Sequence, residues 1–374
     1  MNELVDLTRD LVSIPRHRDE TDAGDAIETW LREHTDAEVR RDDGLPEEDR
    51  GGNVIARKAG DASSDPPSLA LVGHHDVVEP DASQVAGDDP EDPEEYVVRE
   101  EDGRLYGRGT ADMTGAVAAA MLAFRDADPA GELVFASFVA EETGCLGSKA
   151  AIDAGFAPDY AVVGEGSTGY SGAGVTDVAV AHKGRRGSTI TADGEAAHAS
   201  EPEAGENAIY RACDAVDLVR DVAPPETEVL GNAVRGSIAV TEIDGGSAWN
   251  VIPESCEATI DERTVPGVRA PLDGVAELEG VEWAVDQDLP PMACDEPAFA
   301  DAVLEAAVGA QEGAPERVVK PHATDAGRLA TAGTTCVVCG PAEPGEAHTA
   351  DESVSIEVLE RCYRIYRDVA ERWS

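Results

Sequence analysis

The chain has 374 residues and a formal net charge of −48, because 77 acidic residues outnumber 29 basic ones. This length exceeds the roughly 250 to 300 residues that one hydrophobic core supports, so we expect two domains. A field of this sign repels phosphate groups, which excludes nucleic acids and anionic membrane surfaces as expected partners.

The acidic residues are spread over nearly every segment, whereas lysine occurs only at Lys58, Lys149, Lys183 and Lys320. This pattern is typical of salt-loving microbes that keep molar salt in the cytoplasm, where a Debye length of about 3 Å screens self-repulsion. A functional acidic surface is the alternative, but the charge is not localised. We therefore interpret the charge as adaptation to a halophilic cytoplasm.

The seven cysteines are an odd number scattered through apolar segments, which favours reduced thiols in a cytoplasmic protein. The single CxxC, Cys336 to Cys339, is interpreted as core thiols rather than a redox or metal pair, because strand residues three apart face opposite sides. The N-terminus lacks a basic region followed by an apolar stretch, and no run approaches the roughly 18 apolar residues of a membrane span. We expect a soluble, intracellular protein.

Helical periodicity and apolar runs predict a first α/β segment. In chain order its elements are helices over 3–12 and 23–33, a strand from Leu69, a helix over 116–125, and strands from Leu133 and Tyr160. After Asp177, residues 178–183 and 187–193 alternate in polarity across Gly-Arg-Arg-Gly, which predicts a pair of neighbouring strands. A helix over 207–222 and strands over 237–243, 256–263 and 281–286 complete a small antiparallel α+β unit.

From Pro297 the α/β pattern of the first segment resumes, with a helix over 298–310, a strand over 335–339 and a closing helix over 355–373. The predicted fold is therefore α/β, with a mixed, mainly parallel sheet flanked by helices and an inserted, smaller α+β domain. We assign residues 1–176 and 289–374 to one discontinuous α/β domain and residues 177–288 to the insertion.

Three apolar runs of the first domain each end on side chains that bind metals: His74-His75-Asp76, Glu141-Glu142 and Glu165. Ligands bind at the carboxyl ends of the strands in an open α/β sheet, so we expect these side chains to converge on one crevice. Convergent histidines and carboxylates indicate a metal site.

His74 can bind a divalent cation through one ring nitrogen while Asp76, two residues on, accepts the N–H of the other. Alone this spacing is weak, since most histidines only satisfy a local hydrogen bond. Asp112 follows a glycine-punctuated turn at a predicted helix start, where an ordinary helix cap is the alternative interpretation.

The adjacent carboxylates of Glu141 and Glu142 are the sharper signal, because they would be costly at a buried strand end without cations. If one of them binds metal, its neighbour can act as a general base on water. His348 follows the fourth strand of this domain and adds a second imidazole. Two imidazoles with three or four carboxylates suit two zinc-class ions.

Motif by motif, the chain resembles the co-catalytic zinc amidohydrolase and exopeptidase family, which includes acetylornithine deacetylase, succinyl-diaminopimelate desuccinylase and carboxypeptidase G. The resemblance covers nearly the whole chain. The matching segments are Gly73-His-His-Asp-Val-Val, Gly107-Arg-Gly-Thr-Ala-Asp112-Met, Glu141-Glu142-Thr-Gly, Gly164-Glu165-Gly, Asn250-Val-Ile-Pro253, Asp261-Glu-Arg263 and Ala347-His348-Thr.

The resemblance implies two divalent ions, zinc with cobalt or manganese as alternatives, and a specific role for each matching residue. One ion would be held by His74, Asp112 and Glu165. The other would be held by Asp112, Glu142 and His348, so that Asp112 bridges. Glu141 would be the general base, and Asp76 would orient His74.

The resemblance also implies that the insertion is a ferredoxin-like dimerisation domain, which lends His198 to the active site of a partner in a homodimer. A surface histidine beside a turn is the alternative interpretation of His198. Arg263 matches the arginine that binds the substrate carboxylate, a task suited to its bidentate fork. Asn250 matches the Asn-Val-Ile-Pro element that lines the same region. Two departures are the missing tryptophan after Val78 and a second insertion helix reduced to about 272–278.

The implied function is hydrolysis of the amide bond of an N-acyl amino acid by metal-activated water, of the type found in arginine or lysine biosynthesis. A metallo-exopeptidase acting on dipeptides or other short peptides is the alternative within the family. A catalytically silent relative would lack Glu141, Asp112 or His348, and all three are present. A serine hydrolase is disfavoured because no segment fits GxSxG.

Overall fold

The computed structural model describes residues 2–45, 50–60, 66–87 and 93–373. Within these ranges the α-helices are α1 (Asn2–Val12), α2 (Thr21–His34), α3 (Gly115–Asp126), α4 (Leu146–Asp153), α5 (Ala208–Asp221), α6 (Pro297–Ala310), α7 (Asp325–Thr331) and α8 (Ile356–Arg372). Short helical turns cover Ala82–Gln84, Thr110–Thr114, Pro202–Ala204 and Leu272–Glu277.

The strands in the same ranges are β1 (Glu38–Arg41), β2 (Val54–Lys58), β3 (Leu69–His74), β4 (Val85–Ala86), β5 (Glu95–Tyr96), β6 (Arg99–Glu101), β7 (Arg104–Tyr106), β8 (Leu133–Phe138), β9 (Tyr160–Val163), β10 (Val178–His182), β11 (Arg185–Asp193), β12 (Ala197–His198), β13 (Glu226–Val229), β14 (Asn232–Arg235), β15 (Ser237–Gly245), β16 (Val251–Ile252), β17 (Ser255–Arg263), β18 (Val281–Leu289), β19 (Met292–Ala293), β20 (Arg317–Lys320), β21 (Thr335–Val338) and β22 (Ser353–Ser355).

The chain divides into two compact units. The first comprises the residues up to Ala181, Ala293–Lys320 and the residues from Thr324 onward. The second comprises His182–Met292 and Pro321–Ala323.

The first unit is built on a mixed sheet with the strand order β1-β2-β8-β3-β9-β21-β10-β19, to which β20 adds by pairing with β10. Its central strands β8, β3, β9 and β21 are mutually parallel. Every residue of β3 and β8 is buried, as expected for strands that are covered on both faces. Helix α3, buried from Gly115 to Phe124, packs against α1 and α8. The expected mixed α/β sheet flanked by helices is confirmed.

The parallel centre of this sheet positions the candidate site. His74 is the last residue of β3, while Glu141 and Glu142 follow β8 and Glu165 follows β9. His348 lies in the segment after β21. Since the carboxyl ends of parallel strands share one edge of a sheet, these side chains emerge on the same side.

The second unit has a four-stranded antiparallel sheet in the order β15-β17-β11-β18. Helix α5 packs on β11, β17 and β15 through Ala212, Ala215 and Val219. The chain order is strand, helix, strand, strand, helical turn, strand, which is the ferredoxin-like arrangement. The second helix is reduced to the turn Leu272–Glu277, as the sequence predicted.

The predicted pairing of residues 178–183 with residues 187–193 is wrong. Strand β10 joins the large sheet of the first unit, whereas β11 pairs only with β17 and β18 in the small sheet. All five residues of β10 are buried, whereas β11 has a half-exposed, alternating pattern. The Gly-Arg-Arg-Gly segment therefore leads from one sheet to the other instead of forming a hairpin turn.

Candidate metal centre

Asp112 joins two histidines that are far apart in the sequence. Its Oδ1 lies 3.1 Å from Nε2 of His74, and its Oδ2 lies 3.1 Å from Nε2 of His348. The aspartate belongs to the turn Thr110–Thr114 directly before α3, and its side chain does not cap that helix. The alternative interpretation of Asp112 as an ordinary cap is therefore wrong, and one carboxylate connects both imidazoles.

Two overlapping groups of potential ligands form around this carboxylate. The first contains His74, Asp112 and Glu165, and the second contains Asp112, Glu142 and His348. Within each group, one ligand atom from every residue lies within 4.8 Å of those of the others. Oε1 of Glu165 is 3.5 Å from Nε2 of His74, and Oε1 of Glu142 is 2.9 Å from Nε2 of His348.

The protonation of these groups reflects a surplus of carboxylates. Burial disfavours the charged form of His74, but hydrogen bonds to three neighbouring carboxylates raise its pKa well above the ordinary value. Hydrogen bonds to Asp112 and Glu142 raise the pKa of His348 to about 10. Burial raises the pKa of Glu142 to about 6, although it accepts a hydrogen bond from His348. The nearby carboxylates thus favour the protonated form of both imidazoles.

Asp76 has two structural tasks at this site. The Nδ1 atom of His74 lies 3.1 Å from the backbone oxygen of Asp76 and 3.2 Å from its Oδ1. The same carboxylate accepts the backbone N–H of Glu141 at 3.0 Å and that of Glu142 at 2.9 Å. Asp76 is 2% exposed, so it fixes both the His74 ring and the turn that carries the two glutamates.

A buried ion pair supports Asp112 from the other side. Glu352 accepts the backbone N–H groups of Ala111 and Asp112 through Oε1, at 3.0 and 3.2 Å. Its Oε2 pairs with Arg108 at 2.5 Å, and both side chains are at most 4% exposed. These contacts hold the backbone of the Asp112 turn in place.

Glu141 lies in an apolar and acidic environment suited to a base. Burial raises its pKa well above the ordinary value, and repulsion from Glu165, Asp325 and Glu142 adds to the shift. The thiol of Cys145 donates to Oε1 of Glu141 at 3.5 Å. Asp325 completes a third acidic group with these two residues and accepts a hydrogen bond from Ser148 at 2.6 Å.

Lys320 brings a positive charge to the first ligand group. Its Nζ lies 3.4 Å from Oε2 of Glu165 and donates to the backbone oxygen of Gly166 at 2.9 Å. Lys320 is 7% exposed and lies at the end of β20. The ammonium is therefore held inside the protein beside a potential metal ligand.

Glu20 is another buried carboxyl that lies outside the ligand groups. Its Oε1 pairs with Arg50 at 2.8 Å, while Oε2 has no hydrogen-bond partner among the residues that the structure describes. Burial raises the pKa of Glu20 to about 7; repulsion from Asp76 adds to this, and the pair with Arg50 opposes it.

The donor set fits two divalent ions of the zinc class. Each group combines one imidazole nitrogen with carboxylate oxygens, the ligands found in dinuclear hydrolytic sites. Asp112 belongs to both groups, as a bridging carboxylate requires. Neighbouring contacts fix the ligands, since Asp76 holds His74 and Glu352 holds the Asp112 turn.

The three remaining predicted residues lie in the second unit. His198 is exposed on β12, and its Nδ1 lies 2.7 Å from Oγ of Ser200. β12 pairs with β16, and the backbone oxygen of Asn250 accepts the N–H of Ala199 at 2.9 Å. The His198 and Asn250 segments are therefore adjacent, while Arg263 ends β17 and binds Asp261 through Nε at 2.8 Å.

Sequence reasoning missed Lys320, Asp325, Cys145 and the Arg108–Glu352 pair. Lysine is rare in this chain, which has four, and Lys320 is buried. That rarity was the available signal that an individual lysine has a specific role. Asp325 follows Thr324, whose Oγ1 accepts the N–H of Ala326 as the N-cap of α7. No local pattern distinguishes Glu352 from the many other acidic residues.

Comparisons with known proteins identify relatives of the chain. Residues 70–372 match the sequence profile described as Peptidase family M20/M25/M40. The chain is 31% identical over 342 residues to an acetylornithine deacetylase from Myxococcus xanthus, covering 83% of this chain and 81% of that protein. It is also 31% identical over 329 residues to a succinyl-diaminopimelate desuccinylase from Xanthomonas oryzae pv. oryzae, covering 82% and 84%.

Solved structures share the fold. Aminopeptidase PepT from Bacillus cereus superimposes with a TM-score of 0.80 at 18% identity, covering 99% of this chain and 98% of that chain. The YXEP protein of Bacillus subtilis, described as a dinuclear metal-binding peptidase of the M20 family, gives a TM-score of 0.68 at 16% identity, covering 99% and 97%.

The chain therefore belongs to the M20/M25/M40 peptidase family, and it is a metallohydrolase of that family. The resemblance stated from the motifs is confirmed. Among the residues that the structure describes, no helix combines the length and apolar character needed to cross a membrane.

Proposed function

We propose that the protein hydrolyses the amide bond of an N-acyl amino acid, releasing the acyl group as a carboxylate and the amino acid as a free amine. The observation that carries this proposal is the Asp112 carboxylate, whose two oxygens each lie 3.1 Å from the ring nitrogen of a different histidine. The relatives named acetylornithine deacetylase and succinyl-diaminopimelate desuccinylase support a deacylase of arginine or lysine biosynthesis.

Two divalent ions, zinc in the first place, would be held by the two ligand groups, with Asp112 shared between them. His74 and Glu165 would complete one set, and Glu142 and His348 the other. When bound, such ions polarise a carbonyl oxygen and lower the pKa of water to about 7.

Glu141 would act as the general base. It takes a proton from the attacking water as the carbon–oxygen bond forms, and it delivers that proton to the amine nitrogen as the carbon–nitrogen bond breaks. Burial raises the pKa of Glu141, which favours its holding the proton between the two steps. The hydrogen bonds from Glu141 and Glu142 to Asp76 keep the base in position.

We assign the substrate contacts to the second unit. Arg263 would bind the carboxylate of the substrate through its guanidinium fork, with Asn250 beside it. His198 would donate to the oxyanion in the active site of a partner subunit, within a homodimer formed through this unit. We also propose a cytoplasmic location and adaptation to high salt, on the basis of the net charge of −48.

A substrate panel tests the reaction. It contains acetylornithine, succinyl-diaminopimelate, acetylated neutral amino acids and dipeptides, assayed with Zn²⁺, Co²⁺ or Mn²⁺ and again after chelation. We expect turnover of an N-acyl amino acid that chelation abolishes and added metal restores. Preference for the dipeptides would instead assign the chain to the exopeptidases of the family. Activity that survives complete metal removal would contradict the metal-dependent mechanism.

A variant tests the base. Glu141→Gln should lower kcat by about 10²- to 10⁴-fold while the protein still binds two ions per chain. The matched control is Glu305→Gln, which replaces an exposed glutamate on α6. The assignment of the base is wrong if Glu141→Gln retains near-normal turnover.

A further inference from the structure

Glu165 contacts two different nitrogen-bearing side chains in the structure. Its Oε1 lies 3.5 Å from Nε2 of His74, whereas its Oε2 lies 3.4 Å from Nζ of Lys320. The ammonium also donates to the backbone oxygen of Gly166, the residue next to Glu165. Lys320 therefore contacts both the side chain of Glu165 and the backbone beside it.

The burial of Lys320 requires a physical reason. An ammonium group loses its hydration inside a protein and is tolerated there only when it is paired and hydrogen-bonded. Lys320 is 7% exposed, in a chain with only four lysines. The contact with Glu165 and the hydrogen bond to the Gly166 oxygen meet this requirement.

The charges of the centre show what this ammonium offsets. Besides the potential ligands Asp112, Glu142 and Glu165, the carboxyl groups of Asp76, Glu141 and Asp325 lie around the centre, so acidic groups are crowded there. Lys320 places one positive charge among them, and its Nζ lies beside Oε2 of Glu165.

We propose that Lys320 is a positioning residue that holds Oε2 of Glu165, so that Oε1 alone is presented to a metal ion beside His74. In the metal-free protein the same ammonium keeps the buried Glu165 carboxylate paired. This inference rests on the proposed role of Glu165 as a metal ligand.

Two substitutions at Lys320 separate its charge from its hydrogen bond. Lys320→Gln keeps a donor for the Gly166 oxygen but removes the charge, while Lys320→Arg keeps the charge. The matched control is Lys149→Gln, because Lys149 is 57% exposed and forms a long ion pair of 3.8 Å with Asp153. Thermal unfolding is measured for each protein at one fixed salt concentration, first in chelator and then with saturating Zn²⁺.

We expect Lys320→Gln to lose more stability without metal than with it, because Zn²⁺ can replace the missing charge beside Glu165. The rise in unfolding temperature on adding Zn²⁺ should exceed that of the wild type by about 5 °C or more. Lys320→Arg and Lys149→Gln should show the wild-type rise. An equal rise in Lys320→Gln and the wild type would overturn the proposal.

A spectroscopic readout tests the positioning directly. The visible absorption of bound Co²⁺ depends on the number of ligand atoms, so release of the second Glu165 oxygen should change the Co²⁺ spectrum of Lys320→Gln and leave that of Lys149→Gln unchanged. An unchanged spectrum in Lys320→Gln would refute the presentation of a single oxygen.

Failure of the proposed metal site is distinguishable from failure of this inference. Glu165→Gln should lower the affinity for one ion, and an unchanged affinity would remove Glu165 from the ligand set. If Lys320→Gln folds in neither condition, the double variant Lys320→Gln/Glu165→Gln decides, since it buries no unpaired charge at this position. The proposal expects the double variant to fold, and its failure to fold would overturn the proposal.

Discussion

Replacement of Asp76 by asparagine tests how the centre is held together. The carboxylate of Asp76 accepts two backbone N–H groups, those of Glu141 and Glu142, and lies 3.2 Å from Nδ1 of His74. Asparagine has nearly the same shape, but only one of its two terminal atoms accepts hydrogen bonds. Its NH₂ group must therefore face one of the two backbone donors.

The structure sets the size of the effect. The variant loses one charge-assisted hydrogen bond and leaves one buried N–H group unpaired, since Asp76 is 2% exposed. Together these losses amount to about 3 kcal/mol of unfolding free energy. The contact between Nδ1 of His74 and the carboxylate is weakened as well, while the contact with the backbone oxygen of Asp76 stays. Loss of such a supporting partner typically lowers metal affinity about 10- to 100-fold.

Two measurements on Asp76→Asn check these values. Urea unfolding in chelator reports the stability loss, and metal titration followed by assay of kcat reports the state of the centre. The control is Asp153→Asn, which changes a carboxylate that is 71% exposed. If Asp76→Asn keeps a metal affinity within about twofold of the wild type, the proposed support of His74 by the Asp76 carboxylate is refuted.

Two further predictions concern pH and salt. The folded-state pKa of Glu20 is about 7, against an ordinary value of 4.5, so the folded state binds its proton more tightly and stability falls as pH rises through this window. The unfolding free energy should fall by about 3 kcal/mol, and this contribution should be absent from Glu20→Gln. Unfolding of both proteins is measured from pH 4.5 to 7.5, and parallel plots of unfolding free energy against pH would contradict the prediction. With a net charge of −48, the unfolding temperature should rise as KCl increases from about 0.1 to 2 M and the Debye length falls from about 10 Å to below 3 Å. A neutral osmolyte is the control, and equal stabilisation by it would rule out charge screening.

The elements with a strong local pattern could be predicted from the sequence. The runs ending at His74 and before Glu141 are buried along their whole length, so continuous apolar character predicted them as central strands. The glutamates at the end of the second run were recognisable because paired charges beside an apolar run are costly without a cation.

The hairpin predicted for residues 178–193 shows where local pattern fails. Alternation of polarity indicates a strand but does not identify its partner, and β10 and β11 lie in different sheets. Strand pairing is decided by hydrogen bonds between segments that are distant in the sequence, here β10 with β21 and β11 with β17.

The amino-acid sequence by itself determined the family, the potential ligands and the strands that carry them, because each of these is expressed in a run of neighbouring residues. Only the tertiary structure decided that Lys320, Asp325 and Glu352 belong to the same centre. Each of them reaches the centre from a segment remote in the sequence, and the parallel order β8-β3-β9-β21 brings the ligand-bearing strand ends to one edge. Contacts of this kind depend on the packing of whole elements, which no local spacing records.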